Sequence, residues 1–254
     1  MQTNVQGAIS LQNITTQKAS DLPLSSKIVV FPIGSNEQHG PHLPTGTDTL
    51  ILNAVVNGVK ERLSPESPFV FLPSLPYGKS PEHLDFPGTV SFRAQTLMFI
   101  MEDVVSSLKT HGVKRFVFLN SHGGNTSLIN SLAFDLHYTH KMEIYCLNLW
   151  SSDFMDSTEI QQVVPNIKYP DVHAASIETS LLLYLHPDLV GNFSRNFIPD
   201  VEFPKISTGW ATKDFSAGGV IGDLVDSSVE NGEKLYNLLI DKAIMKLNTI
   251  ANVK

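Results

Sequence analysis

The sequence predicts an α/β fold: one three-layer αβα domain over residues 1–254, with a mostly parallel central sheet. Three observations carry that expectation. Short apolar runs recur at 27–33, 69–75, 115–119 and 143–150, and none alternates between apolar and polar residues. Segments with helical periodicity separate them. A chain of 254 residues with 42% hydrophobic content can bury a substantial core. Strands covered on both faces need apolar residues at every position, and a parallel sheet with helices on each side has that requirement.

In chain order, KIVVFPI at 27–33 reads as a strand, and a loop rich in glycine and proline follows it. GTDTLILNAVVNGVKERL at 46–63 then has helical spacing. The order repeats: FVFLPSL at 69–75, the polar loop YGKSPEHLDFPGTVS at 77–91, and the helical pattern RAQTLMFIMEDVVSSLKTHG at 93–112. RFVFL at 115–119 is a buried strand, with Asn125 or Thr126 placed to cap a helix through SLINSLAFDLHYTH. EIYCLNLW at 143–150 supplies a fourth strand. Residues 151–172 and 192–227 are polar, irregular and suited to lids. GEKLYNLLIDKAIMKLNTI at 232–250 reads as a closing amphipathic helix.

A formal net charge of −7 disfavours nucleic acid as a partner. The N-terminus has neither the basic start nor the apolar core of a secretory signal, and no run is long enough to span a bilayer. Neither a membrane nor a membrane anchor is expected. The lone Cys146 sits in an apolar run, so no intrachain disulfide is possible, and a buried thiol in a reducing, cytoplasmic setting is expected.

EQHGPHLPTGTD at 37–48 gathers Glu37, His39, His42 and Asp48, and its glycines and prolines exclude a regular helix or central strand. A carboxylate, an imidazole and a second carboxylate form a mixed oxygen and nitrogen donor set suited to Zn²⁺, Mn²⁺ or Fe²⁺. Asp48, at the start of the next helix, can bridge two ions through its two oxygens. NSHGGN at 120–125 again puts a histidine directly after a buried strand, which makes His122 a fourth candidate ligand. In DVHAASIETS at 171–180, His173 suits general acid and base work. Glu178 is open to three roles: metal ligand, holder of the nucleophilic water, or orienter of a histidine. In YGKSPEHLDFPGT, Glu82, His83 and Asp85 are read as a pocket wall or subunit contact rather than ligands. Ser121 lacks the GxSxG elbow of a serine nucleophile.

EQHGPHLPTGTD, NSHGGN and DVHAASIETS, in that order, together resemble the creatininase family, and YGKSPEHLDFPGT resembles that family's intervening loop. The resemblance implies a parallel αβα domain, two divalent ions per subunit and a homo-oligomer, commonly a hexamer. It implies a small-molecule amide substrate whose C–N bond is hydrolysed by a metal-bound hydroxide. The class would be a hydrolase of C–N bonds other than ordinary peptide bonds. It further implies that Glu37 and His122 hold one ion and His39 the other, that Asp48 bridges them, and that His173 shuttles protons. Where creatininases proper resemble NGHYEN, this chain has Gly124 in place of the glutamate, so Glu178 becomes a candidate for the missing oxygen ligand. The GG form resembles the formamide deformylases and a peptidase of the family more than creatinine amidohydrolase itself, so the bond cleaved is expected in a cyclic amide, a formamide or a peptide. The rival reading is a scaffold protein stabilised by a structural metal.

Overall fold

A computed structural model describes residues 8–197 and 209–253. Strands β1 (Ile9–Ser10), β2 (Ile28–Ile33), β3 (Phe69–Phe71), β4 (Arg115–Asn120) and β5 (Glu143–Asn148) form one sheet in the order β1-β3-β2-β4-β5. Every pairing is parallel, and β2 and β4 run together over six residue pairs, from Ile28 opposite Arg115 to Ile33 opposite Asn120. The helices are α1 (Thr16–Ser20), α2 (Thr47–Arg62), α3 (Ala94–Lys109), α4 (Thr126–His140), α5 (Ser157–Val163), α6 (Ser176–Leu185) and α7 (Val229–Ala251).

The absence of alternating polarity in the strands has a direct cause. Ile28 and Val30 of β2 face a core with Val117 and Leu119 of β4, covered by α2, α6 and α7. Val29, Phe31 and Ile33 face the opposite core with Phe116 and Phe118, covered by α3 and α4. Successive strand residues point to opposite faces, and both faces of β2 are dry, so no position along it is left for a polar side chain. The expected three layers are therefore present.

Three details depart from the sequence reading. β1 adds a fifth strand at the sheet edge beside β3, too short and too polar to stand out as an apolar run. The segment 151–172 is not wholly irregular: Asp156 caps α5, accepting from the backbone N–H groups of Thr158 and Glu159. Asn125 precedes α4 but makes no side-chain cap. Its amide instead donates to the Gly34 carbonyl and accepts from the Lys79 N–H, tying three loops together. Part of the expected 192–227 lid, residues 198–208, lies outside the described residues.

The sheet topology positions the loops that matter. From β2 the chain moves to β3 on one side, whereas β4 lies on the other and leads outward to β5. Loops leaving the C-terminal ends of β2 and β4 thus diverge, and the crevice between them is where ligands bind in open parallel sheets. Helix α6 closes this end of the molecule, held against α7 by a close approach at Gly232, where any Cβ would fall on the Ser180 carbonyl.

Candidate metal centre

The β2 loop delivers Glu37 and His39, the first turn of α2 delivers Asp48, the β4 loop delivers His122, and the segment entering α6 delivers His173 and Glu178. All six are buried. His39 Nε2 lies 3.9 Å from Asp48 Oδ1 and 3.6 Å from Glu178 Oε1. On the other side, His122 Nδ1 is 3.4 Å from Asp48 Oδ2, and its Nε2 is 3.2 Å from Glu37 Oε2. Three groups of potential ligands have donor atoms within 4.8 Å of one another: Glu37–His39–His173, Glu37–Asp48–His122 and His39–Asp48–Glu178, the last two sharing Asp48. Asp48 turns one oxygen to each of those two.

The donor chemistry fits divalent ions. His39 Nδ1 donates to the Glu37 carbonyl at 3.1 Å, which makes Nε2 the nitrogen that can exchange its proton for a cation. That Nε2 and Asp48 Oδ2 are buried and have no hydrogen-bond partner among the described residues. Cations on the two sides of Asp48, one reached by His39 Nε2 and the other by Asp48 Oδ2, would remove the penalty of two orphaned polar atoms.

Glu178 makes two uses of its carboxylate: Oε2 accepts the Ala174 N–H at 2.7 Å, while Oε1 faces His39. His173 donates from Nε2 to the Gln38 carbonyl at 2.7 Å, so Nδ1 carries the lone pair, 3.7 Å from Glu37 Oε1. Its ring packs between His39 and His83, with centroids 4.3 and 4.2 Å away.

His83, read from the sequence as pocket wall or subunit contact, is buried against the centre itself. Gln38 Nε2 donates to its Nδ1 at 2.8 Å, so its Nε2–H faces Glu37 Oε1 at 3.3 Å. Ser35 donates to Glu37 Oε2 at 2.9 Å and is in turn 2.6 Å from Ser80. His83 and Ser35 orient the carboxylate of Glu37, a role the spacing of the sequence does not reveal. Glu82 lines the cavity, and Asp85 is exposed. His42 Nε2 bonds the Thr179 hydroxyl at 2.8 Å, whereas its buried Nδ1 has no hydrogen-bond partner among the described residues.

The ionisation pattern without a cation shows what the site demands. Burial pushes Glu37 up to about 7. Burial works against charge on His39 and His122, yet carboxylates outweigh it: Glu178 and Asp48 push His39 up to about 10, and Glu37 and Asp48 push His122 up to about 9. Burial and the positive charge of His39 hold His173 down at about 3. Two imidazolium ions thus stand in for positive charge that the buried carboxylates require.

Glu37, Asp48, His83, His122, His173 and Glu178 form the floor of a cavity of about 990 Å³. Its walls include Met98, Leu128, Trp150, Ile160, Ile177 and Trp210. The model for the creatininase family, described as creatinine amidohydrolase, matches residues 12–247. The chain belongs to the creatininase family. It is a metal-dependent amidohydrolase, a hydrolase acting on carbon–nitrogen bonds. It is 31% identical over 242 residues to the mycofactocin precursor peptide peptidase of Mycobacterium tuberculosis, covering 90% of this chain and 88% of that one. Identity to the creatinine amidohydrolase of Pseudomonas putida is 34% over 177 residues, 64% of this chain and 66% of that one. The solved Zn–Zn type of a mutant creatininase superposes with a TM-score of 0.80 at 26% identity, over 97% of this chain and 99% of its own.

A divalent ion taken up by His39 or His122 would have to displace the ring's proton, because their pKa values of about 10 and 9 leave both protonated at pH 7 in the metal-free protein. Affinity should therefore rise with pH up to that range and weaken as pH falls. Calorimetry of Zn²⁺ binding in buffers of different ionisation enthalpy should show a net release of about two protons per chain at pH 7. A heat independent of the buffer would contradict this arrangement.

Proposed function

We propose that the protein hydrolyses an amide bond in a peptide or peptide-like substrate, using two divalent ions, of Zn²⁺, Mn²⁺ or Fe²⁺, per subunit. The observation that carries this reading is the sharing of Asp48 between two ligand groups on the floor of a large cavity. Glu37, Asp48 and His122 would hold one ion, and His39, Asp48 and Glu178 the other. When bound, such a pair lowers the pKa of a water from about 15.7 toward ~7 and polarises the substrate carbonyl. The cavity volume is near the upper end of the about 300–1,000 Å³ usual for small-molecule pockets, and its apolar walls suit side chains rather than one small polar ring. The relation to a peptide peptidase over nine-tenths of the chain supports the same choice over creatinine.

The remaining chemistry falls to the chain's own side chains. His173 is neutral, its Nε2–H is tied to Gln38, and its Nδ1 opens toward the reacting centre. It takes the proton released as water attacks and returns it to the departing nitrogen. His83 and Ser35 hold Glu37, and Glu178 fixes the backbone beside His173 while facing His39.

We further propose that residues 1–254 act as one domain in the cytoplasm, where the single thiol of Cys146, half-buried rather than buried, suits a reducing setting. A homo-oligomer, in the hexameric form the family resemblance implies, is supported by apolar side chains on the outer face of two packed helices. Phe134 and Tyr138 are one turn apart on α4, 79% and 75% exposed, and Phe99 of α3 is 63% exposed.

Asp48→Ala should lose both ions and His39→Ala mainly one, read as metal per chain by mass spectrometry. Undiminished metal in Asp48→Ala rules out the bridge. His173→Ala should keep its metal but lose about 10²- to 10⁴-fold in kcat on a cleaved peptide amide. Full turnover would remove His173 from the proton path. Phe134→Glu should shift the sedimentation coefficient to smaller species; a parent protein that already sediments as a monomer refutes the assembly.

A further inference from the structure

Gln38 stands between Glu37 and His39 in the loop after β2, and its side chain is buried. Two backbone groups decide which way its amide faces. The Gly40 N–H donates to Oε1 at 2.8 Å, and Nε2 donates to the Gly219 carbonyl at 3.2 Å. Exchanging the amide oxygen and nitrogen would set donor against donor at Gly40 and acceptor against acceptor at Gly219, so one assignment satisfies both. Gly219 makes room for that assignment: its φ is 88°, and any Cβ there would collide with Gln38 Oε1.

The amide nitrogen carries two hydrogens. One goes to Gly219, and the other points at His83 Nδ1, 2.8 Å away. Nδ1 must therefore accept, which puts the proton of His83 on Nε2, 3.3 Å from Glu37 Oε1. The other tautomer would aim a lone pair at Glu37 Oε1, which also lies 3.7 Å from the Nδ1 lone pair of His173. A carboxylate oxygen flanked by two imidazole lone pairs is a donor set for a divalent ion, so the tautomer decides whether His83 orients Glu37 or competes for metal. Thr212 does not make that choice, since its hydroxyl, 2.7 Å from Nδ1, can donate or accept. Gln38 acts on His173 as well, whose Nε2–H its backbone carbonyl accepts at 2.7 Å.

We infer that Gln38 is a positioning residue that fixes the proton of His83 on Nε2, which makes that ring a hydrogen-bond donor to Glu37 and keeps it out of the ligand set. The inference rests on the two-ion reading above for the role of Glu37, whereas the proton position is a property of the metal-free chain.

The test uses the full-length, metal-free protein with ¹⁵N-labelled histidine, in which NMR correlations between ring C–H protons and both ring nitrogens show which nitrogen is protonated. Signals absent from His83→Phe belong to His83. The parent should carry the His83 proton on Nε2 alone. Gln38→Glu, whose ionised side chain only accepts, should bring a proton onto Nδ1. Gln38→Met should populate both tautomers and, in Zn²⁺ uptake against graded chelator, hold one ion about tenfold more weakly. Adding Gln38→Met to His83→Phe should weaken Zn²⁺ binding no further, because both changes act through one contact. A parent with the proton on Nδ1 overturns the inference, as does Nε2–H alone in both Gln38→Glu and Gln38→Met. Further loss in the double variant also overturns it, because Gln38 would then act through something other than His83. Nε2–H in a parent that takes up no Zn²⁺ upholds the proton assignment and overturns the two-ion reading instead. Should Gln38→Glu fail to fold, Gln38→Met carries the same readout, with both tautomers expected and Nε2–H alone overturning the inference.

Discussion

The arrangement turns on Asp48, a carboxylate in the first turn of α2 with its two oxygens aimed at two histidines from different loops. It is buried with Glu37 and Glu178 within a few ångströms of His39 and His122. Taking one carboxylate out of water costs several kcal/mol even after relaxation, and three together can be tolerated only against concentrated positive charge. Protonated His39 and His122 supply it in the metal-free chain. Divalent ions supply it more fully and also use the two donor atoms that hydrogen bonding leaves unsatisfied. The position of Asp48 at a helix N-terminus helps too, since the partial positive charge there favours an anion.

Satisfying that charge needs three separate loops brought to one point, and the sheet order accomplishes this. β2 and β4 are neighbours whose following segments leave in opposite directions, so the Glu37–His39 loop and the His122 loop flank a single crevice. Asn125 then ties the two loops and the Lys79 segment together through hydrogen bonds to Gly34, Asn120 and Lys79. An ordinary capping hydroxyl at that position would serve α4 but not the crevice. The α6 side arrives by a different route, through the close packing at Gly232 on α7.

Much of this was readable in the chain because it depends on local pattern. β2, β3 and β4 are dry on both faces and so read as continuous apolar runs, and β5 is half-buried but apolar along Ile144–Leu147. The ligand candidates of the β2 and β4 loops follow such runs directly, where a parallel sheet places its binding loops. His83 was not readable in the same way. Its contact with Glu37 spans two loops and depends on Gln38 and Thr212 fixing the ring, none of which leaves a spacing signature. β1 was missed because two residues paired to β3 carry no periodicity. Glu178 left several roles open in sequence because a carboxylate in a first helical turn serves a cap, an ion or a histidine equally well. Only the direction of its two oxygens, one to Ala174 and one to His39, separates these.

That last contact explains a costly feature of the backbone. Ala174 adopts φ of 52°, a left-handed conformation that costs a residue with a Cβ about 1–2 kcal/mol. It lies between His173 and the start of α6. The backbone of His173 is pinned on the other side by reciprocal hydrogen bonds with Ile221, at 3.0 and 2.9 Å. With His173 fixed there, the left-handed turn directs the Ala174 N–H to Glu178 Oε2. It allows His173 Nδ1 and Glu178 Oε1 to address the same floor from consecutive elements. A relaxed backbone at Ala174 would separate the proton carrier from the carboxylate beside it. The strain is local, whereas the alignment it maintains is shared by His173, Glu178 and His39, which is why the surrounding bonds hold it in place.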